Sequence, residues 1–171
     1  PMFMMGFKDN DTNLHGDELL KKEIEMRILM RMLFAKGSDI YKKLYDEGLI
    51  NSTFSLDYTF QPDYGFTSLD GESKDPKKVY ETILSEIEKL QKQGLDEDGY
   101  NRAKKVIWGR YIRTHNDIED LATTFMQYLF MGVDYFNYYD VYNSVTFEDI
   151  KNRFNNHFSA ENSALSVVKP L

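Results

Sequence analysis

Gly37-Ser38-Asp39-Ile40-Tyr41-Lys42-Lys43-Leu44-Tyr45-Asp46-Glu47-Gly48-Leu49-Ile50-Asn51-Ser52-Thr53-Phe54-Ser55 is the stretch whose reading decides the fold. Its first half has the signals of a short helix. Ser38 is placed to accept hydrogen bonds from the N–H groups of the first turn, and Gly48 to take the left-handed conformation that closes the last. Ile40 and Leu44 fall one turn apart on one face. Beyond Asn51 the apolar period changes from about 3.6 to 2: Phe54, Leu56, Tyr58 and Phe60 alternate with Thr53, Ser55, Asp57 and Thr59. The unit reads as helix, glycine stop, alternating strand.

Working outward, Met2 to Lys8 reads as a buried first strand, ended by the polar loop Asp9-Asn10-Asp11-Thr12-Asn13. Gly16-Asp17-Glu18 opens a helix running to about Lys36, with acidic residues at its positive end. Leu20, Ile24 and Ile28 make one face, and Met26, Leu29, Met30, Met32, Leu33 and Phe34 make it apolar nearly all round, as in a central buried helix. Downstream, Gln61-Pro62-Asp63-Tyr64-Gly65 is a turn joining the alternating strand to a second near Phe66–Asp70, a β-hairpin. Gly65 and Gly71 read as turn residues.

Asp75-Pro76 starts the next helix as cap and first helical residue, with Val79, Ile83, Ile87 and Leu90 as its stripe and Gly94 as its end. Asp96 caps another, with Leu95 and Tyr100 spaced as a hydrophobic staple. Helical pattern continues to about Phe158, broken near Asn116, Gly132-Val133-Asp134 and Ser144. Thr146 to Asp149 resembles a capping box with Asp in place of Glu. Ala164 to Val168 is a final strand stopped by Pro170. Strand, two helices, two strands, four or five helices and a strand make an α+β fold: a mainly antiparallel sheet of about four strands with helices packed on one face. No repeat or linker divides residues 1–171, so a single domain is expected.

The composition narrows the function. A formal charge of −7, with no Lys/Arg cluster longer than two residues, argues against nucleic acid or anionic lipid as partner. No cysteine is present, which excludes disulfides, thiolate catalysis and cysteine-held metals and fits a reducing, cytoplasmic compartment. No apolar run approaches the roughly 18 residues of a membrane helix. The start at Pro1, followed at once by a strand, is expected of a cut inside a longer polypeptide.

No active-site constellation emerges. His15, His115 and His157 lack the one-turn spacing that brings two imidazoles to one metal. His15 reads as a helix-start residue beside Asp17 and Glu18, with a loop metal site as the alternative. His115 reads as a helix-end residue and His157 as a surface or hinge residue. The paired carboxylates, Glu23/Glu25 among them, fall mostly in first turns of helices. Neither a Gly-x-Ser-x-Gly elbow nor a glycine-rich phosphate loop is present. The aromatic cluster from Tyr135 to Tyr139, with Tyr142, reads as a helix packing rings on both sides.

In order, Met4 to Lys8, Gly37 to Ser55, Ile87 to Leu95 with Glu97 and Lys104-Lys105, and Val145 to Ile150 with the last strand resemble the half-domain of insulinase/pitrilysin-type zinc peptidases. The match spans almost the whole chain and is nearest the non-catalytic C-terminal lobe of bacterial insulinase-like proteins. In that family the catalytic half carries His-x-x-Glu-His on a helix near its start, where two histidines bind zinc and the glutamate activates water. The corresponding helix here, Asp17–Lys36, contains no histidine. The resemblance therefore implies no catalytic residue and no metal in this chain, with zinc supplied by an N-terminal catalytic lobe of the same polypeptide. It implies a lobe that encloses a peptide substrate without cutting it. An arginine and a tyrosine of many such lobes reach the substrate; the nearest positions here hold Tyr45 and Asn51, the candidates the resemblance implies for substrate binding.

The alternating strand Thr53–Phe60, with its hydroxyl-bearing face, is the surface expected to hold an extended peptide by main-chain hydrogen bonds. An acidic interior between the lobes would favour basic peptides by electrostatic complementarity. Two rivals stand beside this reading: a non-enzymatic interaction or assembly module that kept the fold, and an independent hydrolase using His15.

Overall fold

The computed structural model describes residues 1–169; the expected strand stop at Pro170 lies outside them. Four strands, β1 (Met2–Lys8), β2 (Ser55–Phe60), β3 (Gly65–Glu72) and β4 (Ser163–Val168), form one antiparallel sheet in the order β2-β3-β1-β4. The helices are α1 (Gly16–Phe34), α2 (Asp39–Asp46), α3 (Pro76–Gln93), α4 (Glu97–Thr114), α5 (Ile118–Phe130), α6 (Tyr138–Ser144) and α7 (Phe147–His157). The expected α+β architecture is the observed one.

The sheet separates two environments by its period of two. Phe3, Met5 and Phe7 of β1, Thr67 and Leu69 of β3 and Tyr58 of β2 are buried toward the helices. Met2, Met4 and Phe66 are exposed on the opposite, uncovered face. α1 is the central helix, buried through Leu20, Ile24, Ile28 and Leu29. It ends at Phe34, two residues before the expected limit.

Each expected boundary signal makes its bond. Ser38 Oγ accepts from Tyr41 N, Asp75 from Lys78 N, and Asp96 from Asp98 N and Gly99 N. Thr146 and Asp149 form the reciprocal capping box. Gly48 has φ 65°, and Leu49 N donates to Leu44 O at 2.9 Å, so α2 closes as a Schellman turn. Such caps contribute about 1 kcal/mol each.

Two glycines differ from their reading as turn residues. Gly65 and Gly71 lie inside β3 with no positive φ, and what they provide is room. A Cβ on Gly65 would stand 2.1 Å from Asp9 Oδ2, and one on Gly71 3.1 Å from the Phe54 backbone. β2 also begins two residues later than the alternation suggests. Asn51 Oδ1 accepts from Thr53 N at 2.8 Å and from Thr53 Oγ1 at 2.6 Å, so its side chain folds residues 51–53 into a turn.

Candidate functional site

β2 has only one neighbour in the sheet, so one of its edges is open. Gln61 N donates to Tyr64 O at 2.8 Å, which makes 61 and 64 a hydrogen-bonded pair. Bonded and non-bonded pairs alternate in an antiparallel ladder. In the register Ser55↔Asp70 to Phe60↔Gly65, residues 55, 57 and 59 therefore bond to β3, while Leu56, Tyr58 and Phe60 turn their N–H and C=O groups outward. Gly65 O agrees: it accepts from Asp9 N on the β1 side.

That edge opens on a long groove. One cavity, of about 830 Å³, runs beside Asp57 to Gln61 and is walled by α4 and α5; a second, of about 510 Å³, runs beside Phe54 to Tyr58 and is walled by α1. They share Arg27, Asp57, Tyr58, Ile107 and Arg110, so they are one channel along the whole of β2. Six residues of strand offer about 20 Å of edge.

Two polar clusters hold the walls. Behind β2, Tyr58 donates to Asp9 Oδ2 at 2.8 Å, and Lys22 Nζ lies 2.7 Å from the same oxygen. His157 Nδ1 lies 2.6 Å from Asp9 Oδ1, which has no other polar partner among the described residues, and His157 Nε2 is 3.1 Å from Thr67 Oγ1. Asp9, Lys22, Thr67 and His157 are all buried. Burial pushes the Asp9 carboxyl up, but the His157, Lys22 and Tyr58 contacts outweigh it and hold its pKa at about 2. Burial and the Asp9 charge push the Tyr58 phenol far up, so it stays a donor.

On the α5 side, Glu23 accepts from Tyr128 OH and from Arg27 Nε, tying α5 to α1. The Glu23 charge raises the Arg27 pKa, and burial followed by that charge raises the Tyr128 phenol. Tyr111 stacks on Tyr138 with ring centroids 4.0 Å apart, and Phe60 meets Tyr128 at 6.2 Å. The aromatic cluster thus packs α4 against α6 and also forms the groove wall, while Phe136 and Tyr139 are exposed and do not form the buried second side of a helix.

Several sequence readings are corrected here. His157 is neither surface nor hinge: with Ile150 and Phe154, at helical spacing, it forms the buried inner face of α7. Asp9 opens the polar loop as read but is itself buried, and Glu23 and Glu25 are buried in the middle of α1 and not in a first turn. Glu25 pairs with Arg153, which also binds Asp11. His15 and His115 do flank helices, as N-cap of α1 and C-cap of α4.

Tyr45 and Asn51 are not brought together. Tyr45 is exposed on α2 and stacks on Tyr41, with ring centroids 5.9 Å apart. Asn51 lines a separate cleft beside Pro1, Met2 and Val168, its amide donating to Glu72 Oε2 at 3.2 Å. The sequence reading missed Arg27, Arg31, Arg110 and Tyr128. A signal existed: Glu23, Arg27 and Arg31 repeat every four residues and form one polar stripe on an otherwise apolar helix.

The residues of α1 do not suit zinc, since Glu23 and Glu25 are engaged by Arg27, Tyr128 and Arg153. Among the described residues no three His, Cys, Asp or Glu side chains converge on a metal position, and no helix is long and apolar enough to cross a membrane.

Known proteins agree with this architecture. The chain is 29% identical over 170 residues to the uncharacterized zinc protease YmfH of Bacillus subtilis (strain 168), covering 99% of this chain and 40% of that protein. It is similar to a crystal structure described as an M16-like peptidase from Alicyclobacillus acidocaldarius, at 27% identity and a TM-score of 0.89, over 96% of this chain and 39% of that one. The inactive peptidase domain of a zinc protease from Bordetella parapertussis shares the fold, at 13% identity and a TM-score of 0.78, over 100% of this chain and 94% of that one. The chain thus spans about 40% of the first two relatives. Residues 3–107 match the family model described as Peptidase M16 inactive domain, and the chain belongs to that family.

Proposed function

We propose that this domain is the substrate-enclosing, catalytically silent lobe of a zinc metalloendopeptidase acting on peptides. Zinc and the hydrolytic groups come from an N-terminal catalytic lobe of the same polypeptide, of which this is the C-terminal lobe. The observation that carries the reading is the open edge of β2. Leu56, Tyr58 and Phe60 face a channel long enough for an extended peptide, and such a peptide adds to the sheet as a fifth strand. Its main-chain bonds are independent of sequence, which suits varied substrates.

Leu56→Pro tests this directly. The Leu56 N–H faces the open edge, so proline removes a donor to the peptide and spares the ladder to β3. The expected result is a loss of about tenfold in affinity for an unstructured peptide, measured by fluorescence anisotropy, with the far-UV circular dichroism unchanged; a neutral-to-neutral main-chain bond is worth about that factor. Unchanged peptide binding in a folded Leu56→Pro variant sinks the edge-strand reading.

The rival, an assembly module without proteolysis, draws on Asn51. That side chain is committed to Thr53 and Glu72, and so to structure. Zinc content and peptide cleavage by the complete polypeptide separate the two: neither is expected of an assembly module.

A further inference from the structure

The sheet gives the open edge of β2 two faces of opposite charge. On the uncovered face stand Asp57, Asp70 and Glu72 with Lys8. On the helix-covered side the groove is lined by Arg27, Arg31, Lys36 and Arg110, with Glu23 the one carboxylate rising from the helices. Glu23 is already taken by Arg27 and Tyr128. Arg31 and Arg110 form no ion pair or side-chain hydrogen bond with any described residue. Asp57 touches the groove by position, but it belongs to the alternating set 55, 57, 59 on the uncovered face and pairs with neither arginine.

Two arginines that line one cavity and share no carboxylate are unusual in a chain with 28 acidic and 21 basic residues. Partial burial, and then the charge of Arg110, lowers the Arg31 pKa, so the two guanidinium groups feel each other across the channel. Like charges that line one groove with no carboxylate paired to them are stabilised by an anion from outside. Guanidinium forks match a carboxylate in a bidentate manner.

We infer that Arg31 and Arg110 form a carboxylate-recognition subsite for an acidic side chain of an extended peptide paired along β2. The inference rests on the edge-strand reading above. A strand added at this edge sends alternate side chains to the two faces. Asp or Glu is selected on the groove side, while the acidic uncovered face accepts Lys, Arg or neutral residues at the positions between. Selectivity is therefore a matter of pattern and not of net charge.

The test uses three short peptides, acetylated and amidated, with Glu, Gln or Lys at the centre of an otherwise uncharged, strand-forming sequence. Binding to this chain is read by fluorescence anisotropy at low and high salt. The Glu peptide is expected to bind about tenfold tighter than the Gln peptide, with Lys weakest and the differences shrinking at high salt, as for charge-assisted bonds. Arg31→Gln with Arg110→Gln removes the Glu preference, so that the Glu and Gln peptides bind this variant equally. Arg110→Lys keeps part of it.

Equal binding of the Glu and Gln peptides, or a preference that survives in the double variant, overturns the subsite. The edge-strand reading then stands, provided Leu56→Pro still weakens all three. Failure of every peptide to bind overturns both. A Gln peptide with a free C-terminus that matches the Glu peptide assigns the arginines to a terminal carboxylate instead, which also overturns the side-chain assignment.

Discussion

Behind β2 and in front of it, the chain handles charge in opposite ways. Behind the strand, Asp9, Lys22 and His157 are buried and matched to one another, with Tyr58 and Thr67 completing the set. In front, Arg31 and Arg110 face the open channel unmatched. Between the two lies a single strand, and Tyr58 belongs to both environments: its hydroxyl is tied to Asp9 while its main-chain groups face the groove. The difference separates two uses of polar groups. Matched and dry, they fix where an edge strand sits. Unmatched and wet, they leave it able to recognise something.

Breaking the rear cluster is expected to have the largest effect. Lys22→Met removes the ammonium partner of a buried pair and leaves the Asp9 charge to Tyr58 and His157 alone, a loss of about 3–5 kcal/mol. Chemical denaturation reads it as a lower midpoint at an unchanged slope. Gly65→Ala attacks the same cluster sterically. Its new methyl would stand 2.1 Å from Asp9 Oδ2, and that carboxylate is fixed by Lys22 and Tyr58, so the strand or the cluster must shift. The cost expected is about 3 kcal/mol, at the upper end for overpacking. A Gly65→Ala variant as stable as the parent means that Asp9 is free to move, and the contrast between rear and front weakens.

Acid provides a milder probe. The Asp9 pKa falls from 3.8 to about 2 on folding, so the unfolded chain binds more protons between those values. Stability from this group is complete above pH 4 and is lost as pH falls through 2. The shift is worth about 2 kcal/mol. Urea titrations across this range measure it, and Asp9→Asn should flatten that part of the acid limb.

The fold was legible because its signals are local. Ser38, Gly48, Asp75-Pro76, Asp96 and Thr146 announce their boundaries through bonds made within a few residues. The alternation from Phe54 to Phe60 announces a strand with one covered face. The rear cluster is non-local: Asp9 and His157 are 148 positions apart in sequence and meet only because α7 packs against the sheet, its His157 ring 6.3 Å from that of Phe7 of β1. A histidine at the end of a helix and an aspartate beside a polar loop look solvated until that packing is known. Likewise, Arg31 and Arg110 come from two helices whose contact no periodicity reports. The stripe of Glu23, Arg27 and Arg31 was visible, but not what it faced.

The smallest effect should come from the front. Arg110 is exposed, and no side-chain partner is lost with it, so Arg110→Gln should change stability by no more than about 0.5 kcal/mol. The sign is informative. Arg110 lowers the Arg31 pKa by its charge, so its removal relieves repulsion and should shift the midpoint slightly upward, an effect that disappears at high salt. A structural arginine would move it the other way, with salt having little influence. Denaturation of this one variant at two ionic strengths therefore tells whether the groove carries its positive charge at a cost to stability, as a site kept for binding does, or uses that charge to hold α4 against α1.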